Sequence, residues 1–192
     1  MKLVIKALVI LAISVFSALP ASSAQIYEID PLHSSACFNV GHLGIGIVHG
    51  CFTDLSGQVV YDAKTPSKSS VSITIKTASV NTFVEKRDEH LRTADFFDVE
   101  KYPVMEFKSV KVKNLGKNRI EITGDFTLHG ITKRIKVKAS KLGEGKDSWG
   151  GYRAAFQSDF TIKRSDYGMK TMIPAAGDRV KISLLFEGTL KK

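Results

Sequence analysis

Val71-Ser72-Ile73-Thr74-Ile75-Lys76 alternates apolar and polar side chains without a break. An extended backbone points successive side chains to opposite faces. Val71, Ile73 and Ile75 therefore enter a core while Ser72, Thr74 and Lys76 face water, and the segment reads as a half-buried strand. The same period of two continues on both sides of it. Phe38 and Val40 flank Asn39, Val59 and Tyr61 flank Val60, and Met105 and Phe107 enclose Glu106. Ile120 and Ile122 lead on to Phe126 and Leu128, and Ile135, Val137 and Ala139 stand between lysines. Phe156, Phe160 and Ile162 share one parity, and Val180, Ile182, Leu184 and Phe186 close the series. These runs predict about eight strands.

Turn residues fall between the runs at Gly41 to Gly46, Asp62 to Ser70, Asn114 to Asn118, His129-Gly130, Gly143 to Gly145 and Ala176 to Asp178. Such short intervals favour antiparallel neighbours. After Met105 and Phe107 the apolar parity moves to Val110 and Val112, which predicts a bulge near Ser109 that bends a long strand. Residues 82–98 break the strand rule. Thr82 and Glu85 stand at capping-box spacing, Val84, Asp88, Leu91 and Asp95 recur about a turn apart, and Asp88 and Arg92 are placed to pair. One helical excursion thus interrupts the meander before Tyr102-Pro103 ends it. Antiparallel strands with a single apolar face must stack or close, and an eight-stranded barrel has an interior just wide enough for side chains or one slender ligand. Its inward set is Phe, Ile, Val, Leu and Met without a charge, so a guest must be apolar and narrow.

Ahead of the strands, Lys2 and Lys6 precede an apolar run from Ala7 to Leu19 and the small-residue segment Pro20-Ala21-Ser22-Ser23-Ala24. This is the layout of a secretory signal peptide over residues 1–24. The run is shorter than the roughly 20 residues a spanning helix needs. No cysteine follows it for lipid attachment. A periplasmic protein with one domain over residues 25–192 is expected, since no Pro/Ser/Gly-rich break divides the rest. With 43% hydrophobic and 24% charged residues the 192-residue chain is neither disordered nor fibrous. The net charge is +9, and a leader with two lysines and no acidic residue leaves the remainder basic. Its cations occupy alternate strand positions (Lys108, Lys111, Lys113, Lys133, Arg134, Lys136, Lys138) and do not gather beside exposed aromatics. That is a solvated face, not a nucleic-acid platform. It would still draw an anionic head group or make transient contact with a membrane surface.

Catalytic patterns are missing from the sequence. None of His33, His42, His49, His90 and His129 sits in a metal-ligand spacing, although His42 and His49 flank one turn; no metal and no cofactor are expected. His33 has serines beside it but no nucleophile elbow. Glu85, Asp88 and Glu89 are crowded by Lys86, Arg87 and Arg92, which keeps them ionised and poor as acids. Cys37 and Cys51 have the parity opposite to Phe38 and Phe52 and lie on either side of a turn, so they can face each other across a hairpin. A glycine-rich turn specifies register weakly, and free thiols and a disulfide both stay open.

Particular residues go further than pattern. Tyr27-Glu28-Ile29-Asp30-Pro31-Leu32-His33-Ser34, Phe38-Asn39-Val40-Gly41-His42-Leu43-Gly44, Gly50-Cys51-Phe52, Ser79-Val80-Asn81-Thr82, Arg87 to Asp98, Tyr102-Pro103 and Gly124 to Thr132 resemble, in order, the blocks of the YceI family of lipocalin-like polyisoprenoid-binding proteins. The resemblance covers Tyr27 to Phe186. It implies a mainly β, eight-stranded antiparallel lipocalin-like barrel with one helix beside it, no catalysis, and a lumen that takes up a long isoprenoid-type lipid. Ligand contacts would fall on Phe38, Val40, Phe52, Ile73, Ile75, Met105, Phe107, Phe126, Phe156, Phe160 and Ile182. His33, Arg87, Asp88, His90 and Arg92 match shared blocks and would touch a head group or fix the helix on the barrel. The cysteines are not part of the family pattern. At ~25 cal/mol per Å² of apolar surface, each buried isoprene unit contributes on the order of 2 kcal/mol before ordering costs. The expected function is a periplasmic carrier for a polyprenyl phosphate, a quinone or a similar lipid. The alternative is a filled barrel serving as an interaction or stress-protection module. Edge strands could also join two chains as a homodimer.

Overall fold

The structure is a computed structural model that describes residues 24–191; the leader expected over residues 1–24 lies outside the described residues but for Ala24. Eleven strands follow one another in the chain: β1 (Gln25–Ile29), β2 (Ser35–His42), β3 (Gly46–Phe52), β4 (Leu55–Tyr61), β5 (Ser70–Lys76), β6 (Val80–Asn81), β7 (Val104–Gly116), β8 (Arg119–Leu128), β9 (Ile131–Lys146), β10 (Tyr152–Lys163) and β11 (Ala176–Leu190). The first six form three broken staves. β11 pairs with β2, placing Ile182 opposite Phe38, and then with β1, placing Gly188 opposite Ile29. β3 and β4 face β2 and β1 in the same way, and β6 and β5 face β3 and β4. Three broken and five unbroken staves, each antiparallel to the next, return from β11 to β1 and close an eight-stranded barrel.

The breaks keep the alternation in step, which is why the pattern reads through them. Between β1 and β2 the carboxylate of Asp30 accepts the N–H of Leu32 at 2.9 Å, and Ser34 Oγ accepts the N–H of Glu187 at 3.0 Å. These bonds reverse nothing; they step the chain sideways and let the stave resume. In β4, Gly57 has φ +142°, and a Cβ there would meet the carbonyl oxygen of Ser72, so only glycine lets β4 approach β5 this closely.

Several local expectations are corrected. The bulge falls where expected, between Ser109 opposite Gly124 and Lys111 opposite Thr123. Val110 is the extra residue, however, and it is 56% exposed while Val112 returns to the core at 4%. Gly143 to Gly145 and Ala176 to Asp178 lie within β9 and β11, not in turns. The β9–β10 reversal is built instead by Asp147, whose Oδ1 accepts the N–H groups of Trp149 at 3.0 Å and Gly151 at 2.7 Å. The helix α1 covers only Glu85–Arg92, without a capping box, because Val84 is its N-cap and makes no side-chain bond. Thr82 gives its N–H to Asp88 Oδ1 at 2.8 Å. Asp88 therefore does not pair with Arg92. Beyond Arg92 the chain continues in successive turns to Lys101.

Candidate functional site

The inward faces enclose a cavity of about 390 Å³ and do not meet across the centre. Each expected lumen residue lines it: Phe38 and Val40 from β2, Phe52 from β3, Ile73 and Ile75 from β5, Met105 and Phe107 from β7, Phe126 from β8, Phe156 and Phe160 from β10, and Ile182 from β11. Seven strands contribute because the parity of each is set independently by its own alternation. The cavity reaches from Tyr61 and Phe156 near one end to Arg164 and Met172 at the other.

One end is sealed. Tyr27 is fully buried, and its ring and that of Tyr61 meet Phe156 edge-on at 6.1 and 5.8 Å. The Tyr27 hydroxyl lies 3.0 Å from Gln25 Oε1 and 3.1 Å from Glu144 Oε2; burial, with that carboxylate beside it, pushes the phenol well above its usual range, so it stays neutral. Outside this plug, Arg153 Nη1 donates to Asp30 at 2.6 Å and to Glu187 at 2.8 Å, while Nε donates to Asp147 at 3.1 Å. The guanidinium is the main cause that draws the Asp30 carboxyl down to about 2. His33 Nδ1 stands 2.8 Å from the same carboxylate. His33 thus belongs to the sealed end, apart from the polar residues of the helix.

At the other end α1 and the turns after it lie across the opening. Arg87, His90, Leu91, Phe96 and Phe97 line the cavity there. Arg87 is held by Thr82, with Nε donating to Oγ1 at 2.7 Å and Nη2 to the carbonyl at 2.8 Å. His90 Nε2 is 3.0 Å from Asp95 Oδ2, and its ring meets Phe96 edge-on at 5.0 Å. Asp88, 4% exposed, and Arg92, which donates to the carbonyls of Ala78 at 3.0 Å and Val80 at 3.2 Å, fix the helix on β6. Of the five polar residues, then, two reach the cavity, two dock the helix, and His33 lies elsewhere.

A sixth was missed. Arg164 is 5% exposed and lines the cavity. It donates to four carbonyls, those of Gly177 at 3.0 Å, Met169 at 2.9 Å, Thr171 at 2.8 Å and Ala176 at 2.7 Å. Its guanidinium lies 5.9 Å from the Phe96 ring centre. Burial lowers its pKa from the usual arginine value, yet a guanidinium stays charged in proteins. The expectation of a charge-free interior therefore holds along the staves and fails at the mouth. No periodic signal marks Arg164, because it follows β10 in a short turn (Arg164–Tyr167). Cys37 and Cys51 stand directly opposite each other on the outer face of the β2–β3 hairpin and are joined as a disulfide.

A closed antiparallel barrel around an apolar cavity, with the guanidinium groups of Arg87 and Arg164 lining it at one end, is the class that the fold and the site define. Residues 27–188 match the YceI-like domain, and the chain belongs to that family. It is 42% identical over 160 residues to a UPF0312 protein of Pseudomonas syringae pv. tomato, covering 83% of each chain. A UPF0312 protein of Shewanella sp. strain ANA-3 is 41% identical over 173 residues, covering 89% of this chain and 91% of its own. Among solved structures, the YceI protein of Campylobacter jejuni superposes with a TM-score of 0.69 at 32% identity, covering 79% of this chain and 90% of that one. Burkholderia cenocepacia BcnA shares the fold with a TM-score of 0.76 at 23% identity over 83% and 98% of the two chains. A polyisoprenoid binding domain from Saccharophagus degradans shares it with a TM-score of 0.66 at 17% identity over 86% and 98%.

Proposed function

We propose that the protein is a periplasmic carrier that holds one long isoprenoid-type lipid in its barrel, with the tail along the staves and the polar head at the α1 end. The observation that carries this reading is the cavity of about 390 Å³, apolar along the staves and cationic only at one end. A saturated or isoprenoid chain asks for no polar partner. Burying it against Phe, Ile and Met contributes on the order of 2 kcal/mol per isoprene unit. Arg87 and Arg164 would then face a phosphate or a quinone oxygen, where charge-assisted hydrogen bonds are strongest. The reading is one of binding: among the described residues His90 turns its Nε2 to a carboxylate, that of Asp95.

The same end supports exchange with a bilayer. Leu43 (58% exposed) and Ile45 (90%) at the β2–β3 tip and Met172 (53%) in the segment between β10 and β11 are exposed there, and the backbone N–H of Leu43 bonds the carbonyl of Ala175, joining the tip to that segment. The leader over residues 1–24 supports delivery to the periplasm. A homodimer would form along the outer edge of β3 between Gly46 and Gly50, which has no second neighbour among the described residues.

The test is extraction of the protein, purified from its own periplasm, with organic solvent, followed by mass spectrometry. A stoichiometric isoprenoid lipid is expected. A clean extract from protein that also fails to take up added polyprenol or quinone would overturn the reading, and an interaction or stress-protection module without a bound lipid would take its place.

A further inference from the structure

The outer face of the β2–β3 hairpin carries a cluster that the cavity does not use. Cys37 stands opposite Cys51, and Asn39 opposite His49, so all four side chains share one face. Both Sγ atoms and a ring nitrogen of His49 lie within 4.8 Å of one another, and His49 Nε2 is 3.6 Å from Cys51 Sγ. His49 Nδ1 is 3.0 Å from Asn39 Oδ1. An amide oxygen only accepts, so the Nδ1–H donates to it and Nε2 presents its lone pair towards the sulfurs. The Phe83 ring stacks over the imidazole at 6.4 Å between centroids and 13° between planes. An imidazole whose far nitrogen donates to a fixed oxygen while the near one faces two sulfurs is oriented as metal-ligating histidines are.

We propose that, when its disulfide is reduced, this cluster binds one thiophilic metal ion, Zn(II) or Cu(I), through the thiolates of Cys37 and Cys51 and Nε2 of His49. Tetrahedral zinc holds sulfur at ~2.3 Å and imidazole nitrogen at ~2.0 Å, which sets neighbouring donor atoms roughly 3.5–3.8 Å apart. The present spread of the three donors contains that spacing once the sulfurs separate. The step balances simply. Two electrons and two protons from a dithiol donor open the S–S bond, the donor leaves as its own disulfide, and the metal then displaces the two thiol protons to solvent. The hairpin is therefore either stapled or metal-bound, never both. Thiolates and imidazole suit these ions better than Mg(II) or Ca(II), which take oxygen ligands.

The test uses the purified protein reduced by a phosphine, which contributes no competing thiol, and titrated anaerobically with Co(II) as a spectroscopic stand-in for Zn(II) and with Cu(I) against a chromogenic chelator. One equivalent with a sulfur-to-cobalt charge-transfer band is expected for the reduced protein and none for the oxidised protein. His49→Ala should lower the affinity by about tenfold or more, and Asn39→Ala by about tenfold, the usual effect of an outer partner. Cys51→Ser should abolish the band. His49→Ala keeps the disulfide and replaces an exposed side chain, so an unchanged melting curve of its oxidised form shows that the fold survives. Reduced wild-type protein without the band, or a His49→Ala variant that binds as tightly as wild type, would overturn the proposal.

Discussion

The two ends of the barrel are made from the same alternating staves and are finished in opposite ways. At the sealed end, Tyr27, Tyr61 and Phe156 fill the space between strands, and Arg153 gathers Asp30, Asp147 and Glu187 from three separate segments. Side chains there bond to side chains. At the mouth a single guanidinium, Arg164, bonds to the backbone of the strap between β10 and β11, and large apolar side chains face outwards. The sealed end is closed by volume and paired charge, whereas the segment between β10 and β11 is anchored in the core by Tyr167 and Met169 and held at the mouth by hydrogen bonds to backbone carbonyls.

That contrast can be broken at either end. Arg164→Ala has the largest expected effect, a loss of about 3 kcal/mol in urea unfolding, because four carbonyls in a buried setting lose a charged donor. Arg164→Lys should recover less than half of it, since a point charge cannot span the four. Arg153→Ala at the sealed end should cost about 2 kcal/mol at pH 7 and leave polyprenol uptake unchanged; lost uptake would show that the ends are not independent. Its pH signature is specific. The folded Asp30 carboxyl titrates at about 2, below the ~3.9 of an unfolded aspartate, so its stabilisation is complete above about pH 4 and is lost as pH falls through about 2. Acid unfolding curves of wild type and Arg153→Ala should therefore converge over that window. Val112→Trp, which places a ring in the lumen, should weaken polyprenol binding about thirtyfold, the equivalent of one displaced isoprene unit of about 2 kcal/mol. Tyr27→Phe is the mildest change, about 1 kcal/mol of stability with binding intact.

The staves were legible because burial on one face imposes a period that no other constraint competes with. Phe38 and Ile182, far apart in sequence, were assigned to one lumen on parity alone and are register partners. The bulge near Ser109 was legible as a parity shift, but which residue would be expelled was not: Val110 and Val112 are chemically identical, and only the partner strand decides between them. The helix reads too long in the sequence because Thr82, placed with Glu85 at capping-box spacing, gives its N–H to Asp88 instead and stays outside the helix, and Thr93 ends it in an extended conformation. The mouth was least legible. Arg164 works through backbone carbonyls, which every residue has, so its partners leave no trace in side-chain pattern, and His33 was grouped with the helix although Asp30 holds it at the opposite end. The disulfide stayed open in the sequence because a Gly-rich turn leaves register loose; pairing of β2 with β11 on its other side fixes it.

The carrier function rests on the cavity as a berth for a greasy tail. The most direct measurement is the dissociation constant of polyprenols of increasing length against protein stripped of lipid. It should fall by at least about tenfold per added isoprene unit, in keeping with some 2 kcal/mol less ordering costs, until the cavity is full, and then level off. A constant that ignores chain length, or no binding at any length, would rule out the cavity as the seat of a lipid tail.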